Sequence, residues 1–93
     1  MLTASMQVVL RLHASDSLKE KRFVVSSVKQ RLRHRFNVAV AETGGHDSWR
    51  EAVLGIVTVG NERGVVDREL NAVTLFLDGD GRFEVVDRLV EYF

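Results

Sequence analysis

The sequence predicts an α+β sandwich, a four-stranded antiparallel sheet with two helices on one of its faces. Three observations carry that expectation. Six stretches have the residue pattern of a strand or a helix, and they follow one another in the order βαββαβ. Each half of that order is a βαβ unit, and right-handed crossovers interleave two such units into one sheet. The 93 residues contain no linker, so one domain over residues 1–93 holds all six elements. This arrangement is the ferredoxin-like sandwich.

Met6–His13, MQVVLRLH, puts Val8, Leu10 and Leu12 on one face and Val9, Arg11 and His13 on the other, which is strand alternation. Residues 1–5 ahead of it are expected to be a loose N-terminal end. Ser17, followed three positions later by Glu20, has the spacing of a capping box and starts a helix from about Leu18 to Arg35. Its core stripe is Leu18, Val25, Val28 and Leu32, with Val24 on the flank. Phe36–Thr43, FNVAVAET, is the second strand, Gly44–Arg50 a loop, and Ala52–Gly60, AVLGIVTVG, the third strand. Asn61 is placed to cap a second helix, Arg63–Leu77, whose stripe is Val66, Leu70, Val73 and Leu77. Gly79 and Gly81 end that helix, and Arg82–Tyr92 is the fourth strand.

The third strand is apolar on both sides, with Val53, Val57 and Val59 alternating with Leu54 and Ile56. The helices cover one sheet face only, and a strand apolar on both sides calls for cover on both. A second copy of the chain is the simplest cover, which predicts a homodimer through the open sheet face. The alternative is that the fourth strand or the loop at 44–51 folds over it.

Composition narrows the function classes. Apolar residues at 45% and charged residues at 28% fit a globular domain. No apolar run is long enough to span a membrane, and MLTASMQ lacks the basic and apolar regions of a signal peptide. The absence of cysteine excludes disulfides, thiolate metal sites and cysteine nucleophiles, and a cytoplasmic location is the default expectation. The loop GGHDSWRE holds His46, Asp47 and Trp49, too few groups for a metal, and His13 and His34 lie on other elements. No nucleophile–base–acid set, P-loop or GxGxxG is present, so neither enzymatic activity nor a cofactor or metal is expected. The two central strands carry no aromatic residue on which an RNA-recognition motif would stack bases.

The net charge of zero conceals a polarity. Residues 16–36 hold seven Lys and Arg against Asp16 and Glu20, a balance of +5, and the rest of the chain carries −5 from six basic and eleven acidic residues. On the first helix Lys19, Arg22, Lys29 and Arg33 form one row beside the core stripe, with Arg31 and Arg35 on the opposite flank. A row of this kind suits phosphate groups, although solvated charge rows are also common. Phe23 lies opposite the core stripe, beside the row, and offers a stacking or apolar contact. Lys21 falls within the stripe, so its ammonium needs a partner, and Glu42 in the second strand is the candidate for a structural pair.

SLKEKR at 17–22, RFNVAVAE at 35–42 and WREAVLG at 49–55 resemble the YlxP-like family, small uncharacterised bacterial proteins classed as a domain of unknown function. The resemblance implies a ferredoxin-like fold and a bacterial cytoplasmic protein. Members of the family are often encoded beside translation-initiation and ribosome-maturation factors, which points toward RNA or ribosomes. It supplies no catalytic residues. The expectation is a homodimeric, non-enzymatic accessory protein that binds RNA or a ribosome-associated partner through Lys19, Arg22, Phe23, Lys29 and Arg33. The alternative is a protein-interaction or structural dimer whose basic helix pairs with acidic surface. A third option is an anion or small-molecule site near Ser15–Leu18, on free helix N–H groups.

Overall fold

The computed structural model describes residues 1–93. Its elements are β1 (Leu2–Leu12), α1 (Leu18–Arg35), β2 (Ala39–Gly44), β3 (Glu51–Gly60), α2 (Arg63–Asp78) and β4 (Phe83–Tyr92). The strands form one sheet in the order β2-β3-β1-β4, with every neighbouring pair antiparallel. Both helices bury their stripes against the same sheet face, which makes the chain a ferredoxin-like sandwich. Neither helix is long and apolar enough to cross a membrane.

The core is a continuous cluster of 17 buried apolar residues. β1 supplies Ala4, Met6, Val8, Leu10 and Leu12, and β3 supplies Ala52, Leu54 and Ile56. α2 supplies the four residues its spacing predicts, Val66, Leu70, Val73 and Leu77. The stripe of α1 is Lys21, Val25, Val28 and Leu32, with Leu18 only half-buried, so a lysine occupies a core position.

Three expectations need correction. Residues 2–5 are not a loose end: Leu2–Ser5 extend β1 against both neighbours, Ala4 is fully buried, and Thr3 exchanges backbone hydrogen bonds with Phe93. β3 and β4 both run far enough to offer ladder partners there, and buried backbone groups require them. Phe36 is the extended cap of α1 and not the start of a strand, so β2 begins at Ala39. The N-cap of α2 is Glu62, which makes no side-chain cap bond, in place of Asn61.

The turn into β4 is held by charge. Asp80 accepts from the Arg82 backbone N–H at 2.9 Å and from its guanidinium at 2.7–3.3 Å. The hydrogen-bonded Arg82 guanidinium holds the Asp80 carboxyl below its ordinary value of 3.8, against the opposing effect of burial. A carboxyl lowered by folding contributes stability above its unfolded value, and that contribution is lost as pH falls through its folded value. Asp80→Asn is therefore expected to cost about 1 kcal/mol at neutral pH and nothing in strong acid, a convergence that urea titrations at the two pH values would read.

Candidate functional site

The start of α1 is closed by its own side chains. Ser17, in extended backbone at φ −157° and ψ 161°, accepts from the Glu20 N–H at 3.2 Å, and the Asp16 N–H donates to Glu20 Oε2 at 2.7 Å. The Ser17 half of the capping box is made, while the Glu20 carboxylate reaches one residue further back, to Asp16, instead of to the Ser17 N–H. The buried Ser15 hydroxyl donates to the Ser17 carbonyl at 3.1 Å. An anion arriving at Ser15–Leu18 meets the Glu20 carboxylate, which argues against the anion site there.

Lys21 is buried, its Nζ 3.3 Å from Glu42 Oε2 and donating to the Gly45 carbonyl. The pair thus ties α1 to the beginning of the β2–β3 loop. Glu42 Oε2 is itself buried and lies outside hydrogen-bonding geometry, so proximity to the ammonium is its only compensation. Gly45 has φ +72°, and a Cβ there would come within 3.0 Å of the Glu51 carbonyl oxygen. The lysine's acceptor is presented by a backbone conformation suited to glycine.

The outer flank of α1 carries cations that the ion pairs of the chain do not use. The chain forms four ion pairs: Arg11–Glu51, Lys21–Glu42, Arg63–Asp67 and Arg82–Asp80. Lys21 is the one member contributed by α1. Lys19 and Arg22 are exposed, Lys29 is half-buried, and none of the three is paired with a carboxylate. Arg33 is exposed but directs one guanidinium N–H to the Val40 carbonyl at 2.9 Å, which sets the row along the outer edge of β2. On the other flank Arg31 contributes to lowering the Asp80 carboxyl, and Arg35 lies 4.9 Å above the Phe76 ring. The predicted row therefore remains together, with Arg33 already half-engaged by the strand edge.

Phe23 is 73% exposed on the rim of an open groove of about 720 Å³. Leu12, Ala14, Phe23 and Val24 supply its apolar lining, and His13, Lys19, Glu20 and Arg82 stand among its polar and charged walls. His13 and Arg82 were not expected at a site. They reach it because β4 begins beside the end of β1, where Leu12 pairs with Phe83 and the His13 N–H donates to the Arg82 carbonyl at 3.0 Å. No local sequence pattern marks that meeting.

The open sheet face carries Val9 and Val53, both half-buried, and Val57 and Val59, exposed by 41% and 45%. β4 adds Leu89, directly across from Gln7, and Val86 at the bulge. β4 lies within the sheet as its edge strand and does not fold across this face, and Val57 and Val59 stay exposed on it. The apolar patch is thus bare on the single chain.

Comparison with known proteins agrees with the architecture. The family described as "Protein of unknown function (DUF503)" matches residues 3–89, from β1 well into β4. The chain is also similar to the "Uncharacterized protein YlxP" of Bacillus subtilis (strain 168), 33% identical over 82 residues, covering 88% of this chain and 89% of that protein. With the family match spanning nearly all six elements, the chain belongs to the DUF503 family of proteins of unknown function.

Proposed function

We propose that this protein is a non-enzymatic cytoplasmic accessory factor that binds RNA, including RNA of ribosome-associated particles, through the outer flank of α1. The carrying observation is the set of cations Lys19, Arg22 and Lys29, which share one flank with no carboxylate of the chain paired to them. Surface cations that neutralise nothing at home are free to neutralise phosphates, and each such contact adds salt-dependent affinity without reading sequence. Arg33 extends the row with its remaining N–H donors. A retardation assay at low salt tests this: RNA is shifted by the wild type and released by reversal of Arg22, Lys29 and Arg33 to Glu. Absence of any shift, or a shift indifferent to the reversal, rejects the reading in favour of an interaction module with no nucleic-acid role.

The exposed valines of the open sheet face support a homodimer joined through that face. Sheets pack about 10 Å apart with interdigitated apolar side chains, and a second copy offers Val57, Val59 and Leu89 a like surface. Sedimentation equilibrium at micromolar concentration should find a dimer for the wild type. Val57→Lys with Val59→Lys, which puts four like charges into the joint of the two copies, should leave a folded monomer. A wild-type monomer under those conditions contradicts the dimer.

A further inference from the structure

We infer that the groove beside Phe23 receives one unstacked nucleotide of single-stranded RNA, its base stacked on the Phe23 ring and its phosphate held by Lys19. This rests on the RNA reading above and adds to it the class of nucleic acid. An aromatic ring 73% exposed at the mouth of an apolar-lined groove offers a flat face with no partner in the chain. Bases in a duplex are stacked on both sides and cannot reach such a face, whereas a splayed base in a loop or single strand can. Lys19 is the member of the basic row that lines the groove, so it joins the groove to the flank that continues to Arg22 and Lys29. The floor of Leu12 and Val24 matches the apolar faces of a base ring. Arg82, immobilised by Asp80, gives the wall from the turn before β4 a fixed position. Glu20 also lines the groove, with its carboxylate engaged by the Asp16 N–H, and Lys19 is the cation that α1 contributes to the lining.

Fluorescence anisotropy with a short unstructured RNA strand and a duplex of equal length tests the inference. Phe23 is exposed, so Phe23→Ala should fold as the wild type does. The variant is expected to bind the single strand roughly ten-fold more weakly while duplex affinity stays unchanged, and Phe23→Trp should retain single-strand affinity. An equal loss on both RNAs, no loss on either, or displacement of the strand by polyglutamate as readily as by unlabelled RNA overturns the nucleotide site. Failure of the wild type to bind any RNA at low salt removes the RNA reading itself, whereas binding that ignores Phe23 removes only the groove.

Discussion

Lys21→Ala is expected to destabilise the fold by about 3–5 kcal/mol, more than any other charged-to-alanine change in the chain. Three losses act together. Glu42 Oε2, already without a hydrogen bond, loses the ammonium 3.3 Å away and becomes a buried carboxylate oxygen with no compensation. The Gly45 carbonyl loses its donor. The long methylene stem that fills a core position of α1 is replaced by a methyl group and a void. Removing both charges together has a different outcome. Lys21→Met combined with Glu42→Leu keeps the volume and buries no charge, so it should recover most of the loss, because a buried ion pair is seldom more stable than an apolar replacement. Urea unfolding of the three proteins measures this. A Lys21→Ala variant within about 1 kcal/mol of wild type would mean that the pair contributes little and that its ammonium reaches water.

The second large effect is on binding. Reversing Arg22, Lys29 and Arg33 to Glu replaces three attractions with three repulsions along one flank and is expected to lower RNA affinity by more than about a hundred-fold at low salt. All three side chains sit outside the core, so stability should change little, apart from the Arg33 bond to the Val40 carbonyl. A hundred-fold loss of binding with a near-native urea midpoint separates this flank from Lys21, whose replacement acts on the fold.

The elements differ in how far the sequence discloses them. α2 is legible because its four core residues are all apolar at helical spacing, and all four are buried. Lys21 is legible for the opposite reason: it breaks an apolar stripe three residues after Leu18 and four before Val25, and such a break asks for a partner. Glu42 stands where that partner is needed. The first residues of β1 are hidden because Thr3, Ala4 and Ser5 are small or polar, and their strand identity comes from ladder partners in β3 and β4 far along the chain. The groove is hidden similarly. Phe23, His13 and Arg82 come from three segments, brought together by the pairing of Leu12 with Phe83. The bare valine face lies between these cases: its two-sided pattern is written in β3, while its lack of cover depends on where β4 and the loop after β2 come to rest.

The salt dependence of RNA binding by the wild type tests the central claim most directly. Contacts from Lys19, Arg22 and Lys29, with or without Arg33, correspond to three or four phosphates, so a plot of log affinity against log salt for a single strand should fall with a slope of about −2 to −3. In the Arg22, Lys29 and Arg33 to Glu variant the slope should approach zero with the affinity. RNA binding that is absent at low salt, or that does not change as salt is raised, would contradict an RNA-binding role for the basic flank of α1.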